Sequence, residues 1–123
     1  SGVATVHDED GAMHGVDRRA PGTAFGPCID IYAPGDSVLL PSLDRDLAPI
    51  SQLWNGTSMS AGYVSGAIAL YLETHPTASP DAIADELERS ATRNELQDTK
   101  SGASRMLYVG ARETRVVASA ARR

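Results

Sequence analysis

A single cysteine and a single lysine are the first shortages of this sequence. With Cys28 alone, neither an internal disulfide nor a cysteine-based zinc framework can form. Every basic residue apart from Lys100 is an arginine, and the acids outnumber them, giving a formal net charge of −5. Such a chain has no basic field to hold phosphates, which argues against a nucleic-acid partner. A long hydrophobic run is also lacking. The most apolar stretch, residues 61–72, is too short and too interrupted to span a bilayer, so no membrane partner is expected. There is no internal repeat and no low-complexity tract. No leader pattern opens the chain, and its first residue is Ser1 rather than methionine. A processed product or an excised segment is therefore expected.

What is present suits one globular domain. The 123 residues are 41% hydrophobic and 22% charged, ordinary values for a folded chain with its own core. Residues 3–6 are short, β-branched and bounded by polar residues, as a strand end would be. Residues 7–27 are rich in Gly, Pro, Asp and Arg without periodicity and read as a loop. Further strands are expected at 28–32, closed by Ala33-Pro34-Gly35, and at 38–40, 50–54 and 105–109. Two helices punctuate the second half. In the first, over 58–73, Ala61, Val64, Ala67, Ile68, Tyr71 and Leu72 recur at the helical period. Gly62, Ser65, Gly66 and Ala69 fill the remaining faces, and a helix apolar or small all round is expected to be buried. It should end before Pro76. The second helix has Ser79 as N-cap, Pro80 at its first position and Asp81 in its first turn. Its inner stripe is Ile83, Leu87 and Ala91, with Asp85, Glu86, Glu88 and Arg89 in water. Residues 94–104 read as a polar loop and 111–123 as a tail, either a frayed helix or disordered.

The chemistry concentrates where a strand runs into Asn55-Gly56-Thr57-Ser58 and then a helix. A serine hydroxyl needs exposure at a fixed point, a base within reach, and N–H groups aimed at a developing oxyanion. A serine at a helix start meets the first and third needs, because first-turn N–H groups lack internal acceptors and the helix dipole favours negative charge there. On these residues alone a plain helix cap is the simpler account. The segment is not a G-x-S-x-G elbow, since Ser60 occupies the last glycine position, and no Gly-Lys-Ser/Thr makes it a phosphate loop.

The run Gly56-Thr57-Ser58-Met59-Ser60-Ala61-Gly62-Tyr63-Val64-Ser65-Gly66 resembles the nucleophile motif of the subtilases, G-T-S-M-A-[ST]-P-H-V-A-G. Upstream, Cys28-Ile29-Asp30-Ile31-Tyr32-Ala33-Pro34-Gly35 is similar to their C-V-D-I-F-A-P-G strand and turn. Residues 69–73 and 105–108 look like the following helix and final strand of the proteinase K and aqualysin-type branch. The resemblance implies a partial subtilisin-like α/β fold, with a mostly parallel sheet and a buried central helix that begins at the nucleophile. Residues 1–110 would form the C-terminal part of a secreted peptidase domain. Ser58 would be the nucleophile of a Ser-His-Asp triad and its backbone N–H an oxyanion donor, with peptides or proteins as substrate.

By the same resemblance the triad aspartate, its histidine and the oxyanion asparagine would precede Ser1. The chain would then supply only the serine and need the N-terminal part of its own catalytic domain for activity. His7, His14 and His75 fall at positions expected to be surface histidines. Gly62 and Tyr63 replace the motif's Pro-His, and Pro21-Gly22-Thr23-Ala24 replaces S-F-S-N. These departures suit an alternative, a catalytically impaired relative acting as a binding or structural module. Cys28 matches a cysteine whose disulfide partner would lie upstream; a small buried hydrophobe is the other account. No cofactor is required for the chemistry. A structural calcium is implied at Asp30, with the main-chain carbonyls of Ser1 and Val3 as further ligands; a carboxylate capping a strand end is the alternative.

Overall fold

A computed structural model describes residues 3–6, 16–100 and 104–110. Ser1, His7, His14 and the expected tail at 111–123 lie outside the described residues. The elements run β1 (Val3–Val6), β2 (Val16–Arg19), β3 (Val38–Leu43), β4 (Pro49–Trp54), α1 (Thr57–Thr74), α2 (Pro80–Ser90), β5 (Thr92–Arg93) and β6 (Arg105–Met106).

The strands make three antiparallel pairs, β1 with β2, β3 with β4 and β5 with β6. Among the described residues, the parallel component of the expected sheet appears as two isolated bridges, Arg18 to Gln97 and Tyr32 to Met106. Antiparallel ladders close through short local turns, whereas parallel neighbours need a long crossover. The β3–β4 hairpin shows this locality. Asp44 Oδ1 accepts from the N–H groups of Asp46 and Ala48, each at 2.9 Å. That turn, with Leu47 at φ 63, extends β3 past the expected residue 40 to Leu43. Pro41 has no N–H to offer a ladder and is tolerated because a two-stranded sheet is all edge.

Two expectations fail for identifiable reasons. β2 forms inside the stretch read as a loop. Its Asp17-Arg18-Arg19 lacks strand character and is held by register with β1, Val3 opposite Arg19 through Val6 opposite Val16. Conversely, 28–32 is not a strand. Ile29 turns back to donate to the Gly26 carbonyl at 3.2 Å, leaving Tyr32 alone to bridge, its N–H to Arg105 O at 2.8 Å and its carbonyl to Leu107 N–H at 2.7 Å.

Both helices form within a residue or two of their expected bounds. In α2 the Ser79 hydroxyl accepts from Ala82 N–H at 3.2 Å, and Pro80 opens the helix. Glu88 does not simply face water, because it pairs with Arg105 and ties α2 to β6. In α1 the burial differs from expectation: Ser60 and Ala67 are its buried residues, while Tyr63 is 47% and Leu70 56% exposed. The helix is apolar or small on every side, yet only Ser60, whose hydroxyl donates to the Ala33 carbonyl, and Ala67 are buried, and an open groove separates it from Val38 and Leu40.

The core is small. Tyr32 is fully buried beside Leu96, with Ile29 and Met106 packed against them. Arg19, only 6% exposed, is the other organising side chain. Its guanidinium donates to Thr23 O at 2.7 Å and Asp98 O at 3.0 Å, pairs with the Asp98 carboxylate at 3.4 Å, and sits 5.3 Å over the Phe25 ring. It thereby fixes the loop at 20–25 against residues 97–98.

The Tyr32 hydroxyl is buried without a hydrogen-bond partner among the described residues. Removing an unpaired buried hydroxyl relieves its desolvation penalty. Tyr32→Phe is therefore expected to be neutral or stabilising by up to about 1 kcal/mol. Tyr32→Ala, which empties the core position, should cost about 3 kcal/mol or more. Thermal or urea unfolding of the two variants side by side checks the contrast.

Candidate active site

Ser58 is the second residue of α1, and its side chain is exposed. The turn that delivers it depends on Gly56, whose φ of 153 and ψ of 154 lie in a region essentially restricted to glycine. Its N–H donates to the Gly35 carbonyl at 2.7 Å. Asn55 Oδ1 accepts from Ser37 N–H at 2.6 Å, and Ser60 Oγ donates to the Ala33 carbonyl at 3.0 Å. Three bonds thus fasten residues 33–37 to residues 55–60, joining stretches about twenty residues apart in sequence. Ser37 is held at φ 54, an unfavourable conformation for serine that the Asn55 bond helps to maintain.

Met59 N–H donates to the Gly56 carbonyl at 3.0 Å, while the N–H groups of Thr57 and Ser58 have no intrahelical acceptor and no side chain caps the turn. An anion beside Ser58 would meet free donors and the positive end of the helix dipole. On one side, Ser58 borders an open apolar groove of about 790 Å³ whose walls include Val38, Leu40, Met59 and Tyr63. On the other side of the turn, a more polar recess of about 620 Å³ lies between residues 20–24, the Gly35-Asp36 pair, and Asn55, Gly56 and Thr57. The Pro21-Gly22-Thr23-Ala24 departure therefore forms a wall next to the turn that precedes Ser58.

The candidate residues are not all brought together. His75 caps the C-terminus of α1, its ring stacked on Tyr71 at 4.3 Å. Seventeen residues of helix separate it from Ser58, about 25 Å. No histidine therefore reaches Ser58 among the described residues. Cys28 is free and exposed among the described residues. Asp30 is exposed and has no ion-pair partner among the described residues, so its carboxylate is available to a cation. Val3 lies in β1 opposite Arg19, and Ser1 is outside the described residues. No group of three or more His, Cys, Asp or Glu that could hold a metal occurs among the described residues. Reading the sequence missed Asp36 and the Asn55–Ser37 bond; the A-P-G motif marks the turn, but nothing in the spacing tells which later residue it grips.

Residues 11–108 match the family model described as the subtilase family. The chain belongs to the subtilase family. Relatives include the extracellular serine proteinase of Thermus sp. (strain Rt41A), 38% identical over 72% of this chain and 21% of the relative. The alkaline serine exoprotease A of Vibrio alginolyticus is 30% identical over 80% of this chain and 18% of its own length. Subtilisin of Bacillus pumilus is 37% identical over 67% of this chain and 28% of the relative. Among solved structures, a cold adapted subtilisin-like serine proteinase superposes with a TM-score of 0.68 at 30% identity, covering 78% of this chain and 34% of that one. The architecture is accordingly a partial subtilisin-like α/β fold. The chain spans about a fifth to a third of the length of these subtilases.

Because Gly56 occupies a conformation that strains any residue with a Cβ, Gly56→Ala should destabilise the turn by about 1–3 kcal/mol. Loss of the Gly56–Gly35 bond would move Ser58 with it. In the full-length protein, the expected outcome is a lowered unfolding midpoint together with slower labelling of Ser58 by a fluorophosphonate. A variant labelled at the parental rate would show that the turn does not position the hydroxyl.

Proposed function

We propose that this chain is the nucleophile-bearing, C-terminal part of a secreted subtilisin-type serine endopeptidase, and that Ser58 attacks the scissile carbonyl. The observation that carries this assignment is an exposed serine in the uncapped first turn of α1, beside two clefts and fixed by the Gly35–Gly56 bond. A histidine from the N-terminal part of the catalytic domain would take the Ser58 proton and deliver it to the leaving amine, and an aspartate would orient that histidine. The Ser58 N–H would stabilise the oxyanion, together with an asparagine side chain. Residues 1–110 belong to the peptidase domain in this proposal, and 111–123 form a tail. Secretion is supported by the name of the Thermus relative, an extracellular proteinase. The chain by itself would be inactive on peptides, since it brings the serine without its base.

The full-length protein tests this directly. Hydrolysis of a chromogenic peptide and fluorophosphonate labelling should both be present, and Ser58→Ala should reduce both to background. Equal rates with and without the Ser58 hydroxyl would overturn the assignment. Folded protein that takes no label would favour an impaired relative serving as a binding module. Gly62 and Tyr63 in place of Pro-His, four and five residues after Ser58 in α1, support that second reading.

We also propose a structural calcium held by the Asp30 carboxylate with the main-chain carbonyls of Ser1 and Val3. An accessible carboxylate with carbonyl oxygens is the hard-ligand set that calcium prefers. Calcium at a hundredfold excess over its dissociation constant should add about 2.7 kcal/mol of stability to the full-length protein. Asp30→Asn should remove most of that increment, and a melting temperature indifferent to calcium and chelator would exclude the site.

A further inference from the structure

The polar recess beside Gly56 and Thr57 contains one charged side chain, that of Asp36. The carboxylate is half-buried and has no hydrogen bond or ion pair among the described residues. An acid of this kind is unusual in a wall otherwise made of small or neutral residues, because partial burial without a partner is unfavourable. Its position is also tightly set. Gly35, immediately before it, accepts from Gly56 N–H, and Ser37, immediately after it, is locked at φ 54 by the Asn55 side chain. Backbone held in a sparsely populated region persists where its surroundings over-determine it, and such places cluster at ligand-binding positions.

The opposite wall is equally fixed. Arg19 holds Ala20 O and Thr23 O from behind, and the Thr23 hydroxyl donates to Ala20 O at 2.9 Å. Arg19 is itself engaged with Asp98, so it does not neutralise Asp36. The N-terminus of α1, which borders the recess through Gly56 and Thr57, carries about half a unit of positive charge, less than a full carboxylate. With no bulky side chain among residues 20–24 except the Pro21 ring, the recess retains about 620 Å³, room for a long side chain.

We propose that this recess is a specificity site that takes a lysine or arginine side chain of the peptide substrate close to the scissile bond, with Asp36 as its counter-charge. The proposal rests on the assignment of Ser58 as nucleophile only for the place of the bond to be cut. Cationic recognition follows from the recess itself.

The test separates the two. Full-length protein carrying Ser58→Ala binds without cleaving, so affinity can be read by fluorescence anisotropy whether or not the parent is active. The probes are peptides in which a single arginine, or a glutamine in its place, is walked across the positions flanking the expected cleavage point. At one such position the arginine peptide should bind about five- to tenfold more tightly than its glutamine twin, the range of a partly exposed ion pair. The preference should shrink at 1 M salt. Adding Asp36→Asn should bring the two peptides to equal affinity, while Asp36→Glu should keep arginine ahead. Circular dichroism and melting temperature confirm that each variant is folded. Equal affinities at every position with Asp36 intact would overturn the proposal. So would an arginine preference that survives Asp36→Asn in folded protein, and so would an effect of Asp36→Asn on melting temperature alone, which is what a counter-charge to the helix end would give.

Discussion

The hydrogen bond from Gly56 N–H to the Gly35 carbonyl is the constraint on which the site depends. It draws a turn that ends one stretch of chain onto a turn that begins a helix, and it does so through backbone atoms alone. Side chains contribute specificity to the joint rather than its existence: Asn55 reads the strained Ser37, and Ser60 reads Ala33. With both turns fastened, a small hydroxyl-bearing residue sits where a helix offers unpaired donors. Exposure of Ser58 and burial of Ser60, two residues later, are consequences of the same geometry.

This joint also explains why two motifs far apart in the sequence are informative together. Each is modest alone, since Ala-Pro-Gly is one turn among many and a glycine before a helix is a common cap. Their meaning comes from contact. A turn that donates no side-chain chemistry can still determine where a serine hydroxyl is presented.

Much of the local structure was legible because punctuation and period are local properties. Ser79-Pro80-Asp81 marks the start of α2, Pro76 limits α1, and the small and apolar residues between 58 and 73 repeat at helical spacing. What escaped was decided by partners elsewhere. The charged Val16–Arg19 is a strand only because β1 lies against it. The 28–32 segment alternates like a strand, but its one bridging residue, Tyr32, finds a single neighbour in Met106. Burial of α1 depends on whatever covers its Tyr63 and Leu70 sides, and composition can announce the need for cover without supplying it. The same limit applies to Ser58. Its resemblance was readable, whereas the polar recess and the carboxylate in it were not, since a cleft is a property of three segments at once.

The pairing of Arg19 with Asp98 joins residues 79 apart in the chain. Between them lie a self-contained hairpin and two helices, all closed by near neighbours. The entropy of loop closure rises only slowly with length, yet it is met before a distant contact returns anything. Segments with local contacts can order first, and their compaction shortens the effective gap that Arg19 must span. The wall of the recess is thus a late-closing seam. It is also the place where a modest loss of stability would first be felt as a misshapen cleft rather than as a melted helix.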